Sequence, residues 1–233
     1  MSLKKFFKKI RYGERCDSQT YIKYLKKKGV TIGDRTVIFD PQTTIIDETR
    51  PWMIEIGNDV QITSGVTLLT HGYDWSVLKG VYGEVLGSSG VLKIGNNVFI
   101  GMHSTILKGV TIGNNVIIGA NSLVNKDIPD NCVAAGNPCR VIMSLEEYYK
   151  KRKNVQIDEA TELVRAYREK KEIDPDEYAL HEFFWLFSDN PDDIPPVWKK
   201  MNELVGNEKL TKQKMVEHKK IFDNMEQFLK SIV

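Results

Sequence analysis

Large aliphatic residues recur every six positions through the middle of the chain. They stand at Ile94, Ile100, Ile106, Ile112, Ile118 and Val124 without a slip, and earlier at Ile32, Ile38, Ile56, Ile62 and Leu68. Glycine follows directly at Gly33, Gly57, Gly95, Gly101, Gly113 and Gly119. Four positions after the later aliphatics come Val98, Ser104, Val110, Val116, Ser122 and Ile128, small or β-branched each time. A period of six drifts around a 3.6-residue helix and leaves no constant face. Short strands separated by tight corners let every aliphatic point inward, with glycine supplying a residue without bulk at the turn. About three such repeats close a triangular coil, and stacked coils bury one aliphatic column. The pattern predicts a mainly β architecture, a parallel β-helix spanning residues 29–142.

The frame breaks at Thr44 and Arg50, where the aliphatics move to Ile45, Ile46 and Ile54, and again between Leu68 and Ile94. The second gap, residues 71–90, holds five glycines and three serines with Tyr73, Trp75 and Tyr82 among them. It reads as a loop excursion from the coil, and insertions of this kind collect on a working face.

The flanks differ from the middle. Residues 1–28 carry ten Lys or Arg against Glu14 and Asp17, interleaved with Leu3, Phe6, Phe7 and Ile10. This is a basic helical segment with two readings: a solvated helix packing its apolar residues on the body, or an arm (residues 1–15) lying on an anionic membrane surface. Residues 143–233 form an α-helical appendage, with helical apolar spacing over 158–171, 176–188, 196–205 and 211–232 and starts read at Asp158 and Pro175–Asp176. Packing against the β-helix and recognition of an acceptor or partner are both open roles for it. His181 and His218 lie in this tail among charges and read as surface residues.

Composition narrows the class. With 233 residues, 41% hydrophobic, 27% charged and a formal net charge of +2, wholesale disorder is excluded. No apolar run approaches the roughly 18 residues of a membrane span, and no signal-peptide h-region follows the start. Cys16, Cys132 and Cys139 form neither a disulfide framework nor a C-x-x-C pair, so the expected compartment is the reducing cytoplasm.

The run from Ile94 to Val141, closing with KDIP and then AAGNPCR, resembles the hexapeptide-repeat acetyltransferases. Galactoside, maltose, xenobiotic and polysaccharide O-acetyltransferases are the similar types. The resemblance implies a left-handed parallel β-helix, a homotrimer with active sites between subunits, acetyl-CoA as cosubstrate and no required metal. It also carries residue roles. His71, in LLTHGYDW, matches the catalytic histidine that opens the family's loop. Such a histidine takes a hydroxyl proton as oxygen attacks the thioester, work suited to a group that titrates near neutral pH. His103, inside a regular repeat, is the competing histidine. Cofactor contacts fall by the resemblance on Met102, Ala120, Asn125, Lys126 and Arg140, with Met102 standing where the family usually has serine. Met143 replaces an arginine of the terminal cluster, so Lys108 or the tail is left to supply phosphate contact. Acceptor contacts fall on Asp40, Asp47 and Glu48, with Tyr73 and Trp75 as stacking candidates beside Trp52 and Tyr82. Asp74 and Glu84 are candidates to orient His71.

A zinc site of the three-histidine type is disfavoured, because the repeat region has only two histidines. The expectation is an acetyl-CoA-dependent O-acetyltransferase of a saccharide hydroxyl, the acceptor a cell-surface polysaccharide or its precursor. It would be cytoplasmic, reaching the inner membrane face if the arm binds there, and nucleic acid is not an expected partner. Acetylation of an amino sugar or a xenobiotic, and a non-catalytic binding module, are the alternatives.

Overall fold

The computed structural model describes residues 3–232, and side chains from Phe7 onward. It divides into two units, Met1–Tyr148 and Tyr149–Val233.

The first unit is a three-faced parallel β-helix. One face pairs Thr31–Ile32, Ile54–Ile56, Leu92–Ile94 and Thr111–Ile112. The second pairs Val37–Ile38, Gln61–Ile62, Val98–Ile100, Val116–Ile118 and Cys132–Ala135. The third pairs Ile45–Ile46, Thr67–Leu68, Thr105–Ile106 and Leu123–Val124. All eleven framed aliphatics are buried, as are the six positions four residues after the later ones. The period of six is thus one strand and one corner. Two buried hydroxyls in the column, Ser104 and Ser122, both donate to Gly119 O, at 3.0 and 2.6 Å, so neither is left unpaired.

The corners show what the glycines do. The glycine after each aliphatic is not the left-handed residue. A Cβ on Gly95 would lie 2.6 Å from Gly113 O, and one on Gly57 would lie 2.5 Å from Gly95 O. These glycines are required because neighbouring coils approach so closely. The left-handed residue comes two positions later, at Arg35, Asp59, Asn97 and Asn115, and at Asn131 two positions after Pro129, with φ between 54° and 58°. Asn, Asp and His tolerate this region best among side-chain-bearing residues, and here they also bond along the stack. Asn97 Nδ2 donates to Asn115 Oδ1 at 2.9 Å, Asn115 Nδ2 donates to Asn131 Oδ1 at 2.8 Å, and Arg35 forms a two-pronged ion pair with Asp59, both contacts at 2.7 Å.

Helix α1 (Leu3–Tyr12) and helix α2 (Ser18–Lys28) precede the first coil. Asp17 caps α2 by accepting from Thr20 N at 2.8 Å, and Gly29, at φ 110°, ends it. Lys26, Lys27 and Lys28 sit in its last turn, where cations complement the helix dipole. Tyr21 and Leu25 of α2 join the aliphatic core. In α1, Phe7 and Ile10 are 62% and 69% exposed, which corrects the expectation that they pack on the body; the side chains of Leu3 and Phe6 lie outside the described residues. At the far end Cys132–Ala135 turns back on Arg140–Ser144 as an antiparallel hairpin.

Helix α3 (Trp75–Tyr82) lies in the excursion. Helix α4 (Leu145–Lys171) begins well before Asp158, where the sequence was read to start it. The reason is a capping box: Ser144 N donates to Glu147 Oε2 at 2.7 Å, and Glu147 N donates to Ser144 Oγ at 3.2 Å.

In the second unit, helix α5 (Pro196–Asn202), helix α6 (Glu208–Glu217) and helix α7 (Met225–Lys230) surround an aromatic core containing Phe184, Phe187, Trp198 and Phe228. Two predicted helices are corrected. Over 176–188 only Phe184–Leu186 forms a short 3-10 turn, because the aromatic rings pack against Trp198 and Phe228 rather than along one helical stripe. The stretch 211–232 breaks between α6 and α7. His218 adopts an extended backbone there, and Ile221 N and Phe222 N both donate to Leu186 O, at 2.8 and 3.0 Å. His181 and His218 are half-buried, with His218 Nε2 2.9 Å from Trp185 O, so neither is a free surface residue.

Candidate functional site

Two of the three breaks in the six-residue frame, at Arg50 and after Leu68, fall at the same corner, between the third face and the first, on adjacent coils; the slip at Thr44 falls between the second face and the third. After Ile45–Ile46 the chain runs through 47–53, including a 3-10 turn Pro51–Met53, before regaining the first face at Ile54. After Thr67–Leu68 it leaves as residues 69–91 and regains that face at Leu92. The second excursion is an arm whose base is the antiparallel pair His71–Gly72 and Ser88–Ser89, with α3 beyond it. Its return is fixed by Gly90, where a Cβ would lie 2.6 Å from Gly109 N of the next coil.

Together the two excursions enclose a cleft of about 350 Å³ lined by Thr49, Arg50, Trp52, His71, Gly72, Tyr73, Trp75, Gly87 and Ser88. Tyr73 and Trp75 hold each other at a ring separation of 4.8 Å. His71 Nδ1 lies 2.5 Å from Asp47 Oδ2. Asp47 is itself buried and saturated with donors. Its Oδ1 accepts from Thr49 N at 3.0 Å and Thr49 Oγ1 at 2.7 Å, and its Oδ2 accepts from Thr70 N at 3.2 Å and from the Thr70 hydroxyl. Burial alone would raise the carboxyl's pKa, but the hydrogen bonds from Thr70, Thr49 and His71 outweigh it and hold Asp47 well below the usual carboxylate range. Asp47 is therefore an anion at neutral pH, and it fixes the Nδ1–H tautomer of His71. In a neutral imidazole held this way the lone pair falls on Nε2, which makes no hydrogen bond among the described residues.

The residues singled out from sequence divide clearly. Asp47 stands on the histidine. Asp74 and Glu84, expected to orient His71, are exposed and make no hydrogen bond or ion pair with it; Asp74 Oδ1 sits instead over Gly72, 2.3 Å from where a Cβ would be. Glu48 lies outside the cleft. Its carboxylate accepts from Tyr24 Oη at 2.6 Å and Arg15 Nη2 at 3.3 Å, tying α2 to the first coil. Burial pushes the neighbouring Tyr21 phenol up to about 12. Asp40 is at a different corner, between the second and third faces, where hydrogen bonds from Ser64 and Thr43 lower its pKa. Tyr73 and Trp75 are in the cleft with Trp52; Tyr82 is not among its lining residues.

His103 also stands at the corner between the second and third faces. It is the left-handed residue of its coil, with φ 57°, and its ring covers Gly65, where a Cβ would lie 2.2 Å from Nδ1. The two histidines thus occupy different corners. Met102 and Ala120 share the His103 corner on successive coils, with Asn121 N donating to Met102 O at 2.8 Å. Asn125 and Lys126 fall on the His71 corner two coils further along, and Arg140, which opens the strand paired with Ala135 on the second face, reaches it with Nη1 3.5 Å from Asn125 Oδ1. Lys108 is at this corner too, on the coil next to His71, and coils stack at roughly 4.8 Å. The three cysteines are buried and free, and burial raises the Cys132 and Cys139 thiols, so neither is an activated nucleophile. Among the described residues no group of three or more His, Cys, Asp or Glu could hold a metal ion, and no helix is long and apolar enough to cross a membrane.

A profile described as bacterial transferase hexapeptide (six repeats) matches residues 92–126. Protein CapG of Staphylococcus aureus is 48% identical over 126 residues, which are 53% of this chain and 71% of that protein. The chain belongs to the hexapeptide-repeat acetyltransferase family. Galactoside O-acetyltransferase of Escherichia coli K12 is 40% identical over 104 residues, 45% of this chain and 49% of that enzyme, so the match spans about half of its length. Among solved structures, a galactoside acetyltransferase in complex with coenzyme A shares 29% identity over 64% of this chain and 86% of its own, with a TM-score of 0.43. A maltose O-acetyltransferase from Clostridium difficile 630 shares 30% identity over 54% of this chain and 75% of its own, with a TM-score of 0.39.

Proposed function

We propose that the protein is an acetyl-CoA-dependent O-acetyltransferase of a saccharide hydroxyl, with His71 as general base. The observation that carries this reading is the Asp47–His71 pair at the mouth of an aromatic cleft, with Asp47 2.5 Å from Nδ1 and Nε2 free to work.

Acetyl-CoA fits the residues present. Ala120 is exposed and small on its coil edge, Lys108 and Lys126 stand at the corner that holds His71 on the next two coils, and Arg140 reaches Asn125 there. A pantetheine arm needs the close backbone approach that small residues allow, and phosphates need cations. Bound acetyl-CoA supplies an acetyl carbonyl activated as a thioester. His71 Nε2 accepts the proton of the acceptor hydroxyl as its oxygen bonds to that carbonyl carbon. The imidazolium so formed is stabilised by Asp47 and then gives its proton to the departing sulfur, which restores the starting state. Trp52, Tyr73 and Trp75 offer flat apolar surface for a sugar ring, the usual way a pyranose face is covered. A left-handed coil and a trimer with the cleft completed by a neighbouring subunit go with this reading, as does a cell-surface polysaccharide precursor as acceptor.

The test incubates the full chain with acetyl-CoA and a panel of saccharides and follows thiol release and product mass. Saccharide-dependent thiol release with a base-labile ester product supports the reading. A base-stable amide on an amino sugar would shift the activity to N-acetylation. Absence of both CoA binding and acetyl transfer would leave a non-catalytic module.

A further inference from the structure

Arg50 stands at the first break in the frame, immediately before Pro51, and lines the cleft beside Thr49, Trp52 and His71. Its Nη1 is the only buried side-chain nitrogen or oxygen among the described residues without a hydrogen-bond partner. A guanidinium cannot shed its charge, and a buried donor is rarely left unpaired without a function. The nearby carboxylates are already engaged. Asp47 accepts five hydrogen bonds from Thr49, Thr70 and His71, and Glu48 is held by Arg15 and Tyr24. The anion that completes Arg50 is therefore neither of these carboxylates.

We propose that Arg50 is the acid-recognising group of the acceptor site, and that the acceptor is an acidic saccharide of the uronic-acid type. The planar guanidinium matches a carboxylate fork to fork. Arg50 is the single Lys or Arg lining the cleft among the described residues, which suits one singly charged carboxylate; a phosphate would call for further cations or a cradle of backbone N–H groups. The remaining lining, three aromatic rings with the hydroxyls of Thr49 and Ser88, is what a sugar ring needs. The carboxylate on Arg50 would then hold the ring with a hydroxyl presented to His71. This inference rests on the acetyltransferase reading for the reaction, but not for the binding.

The experiment pairs methyl uronides with their neutral methyl hexosides and uronamides, in the gluco, galacto and manno series with and without a 2-acetamido group. Acetyl transfer and, separately, binding by saturation-transfer NMR are measured with wild type, Arg50→Gln and Arg50→Lys. The expected result is that wild type favours the acid over its neutral partner by about 10-fold or more in at least one pair. In Arg50→Gln that ratio falls to near 1, and in Arg50→Lys it is intermediate, since charge is kept and the fork lost. Equal or greater use of the neutral partner by wild type in every pair, or an unaltered ratio in Arg50→Gln, overturns the proposal. So does a change of oligomeric state in Arg50→Gln by analytical ultracentrifugation, which would make Arg50 an assembly contact. If no acetyl is transferred but binding is acid-selective and depends on Arg50, the reaction assignment fails while the acid site stands.

Discussion

Two corners of one coil show how this chain separates scaffold from chemistry. The corner between the first and second faces repeats without insertion through five coils, with its left-handed residues bonded into a ladder through Asn97, Asn115 and Asn131. Much of the polar side-chain capacity there bonds to the neighbouring coil. The corner between the third and first faces is interrupted twice in succession, and there a buried carboxylate, a histidine with one free nitrogen and an unpaired guanidinium come together. Regularity makes the stack rigid, and the breaks in it supply groups whose hydrogen-bonding capacity is not used up internally.

This contrast can be broken most sharply at His71. Replacing it with alanine should lower kcat/KM for acetyl transfer by on the order of 10³–10⁴-fold with little change in melting temperature. His103→Ala, at the other corner, should lower it by less than about 10-fold. A reversal of the two effects in steady-state kinetics would move the chemistry to the regular coil. Asp47→Asn should cost on the order of 10²-fold in kcat, because the imidazole loses its anion and its fixed tautomer.

On the scaffold side the losses should appear in stability and not in turnover. Gly95→Ala drives a Cβ to 2.6 Å from Gly113 O, and should destabilise the fold by about 1–3 kcal/mol in denaturant unfolding. Asn115→Ala removes two ladder bonds at a left-handed position and should cost about 1–2 kcal/mol, whereas Asn115→Gly, which relieves the backbone, should cost less.

The smallest effect is a pH dependence. Asp47 titrates lower in the fold than in the unfolded chain, so its contribution to stability is complete above the unfolded carboxylate value of about 4. That contribution is lost as pH falls below it toward the folded value. The melting-temperature difference between wild type and Asp47→Asn should therefore be constant above about pH 5 and shrink as pH drops below about 4. A difference that widens on acidification would mean that Asp47 is not held as the anion.

The scaffold was readable because a β-helix repeats its physics: each coil needs the same inward aliphatic and the same uncrowded glycine, so the period appears in the chain itself. The glycines were legible but their reason was not, since close approach of Gly57 to Gly95 depends on the stacking of coils. His71 was visible from the frame break that it opens. The role of Asp47 was not, because 24 residues separate it from His71 and only stacking of adjacent coils brings them together. A signal for that half of the site did exist: the frame also slips at Arg50, and two slips one coil apart mark a single corner. In the tail, Ser144 and Glu147 spelled a capping box that starts α4 early, while the aromatic packing that undoes the helix over 176–188 had no periodic signature.

The central claim is that Asp47 acts through His71, and a kinetic double-mutant cycle of His71→Ala and Asp47→Asn tests it most directly. If the carboxylate only positions and charges the imidazole, the double variant will be no slower than His71→Ala alone. If the two losses multiply, Asp47 has an independent part in the reaction and the pair is not the catalytic unit described.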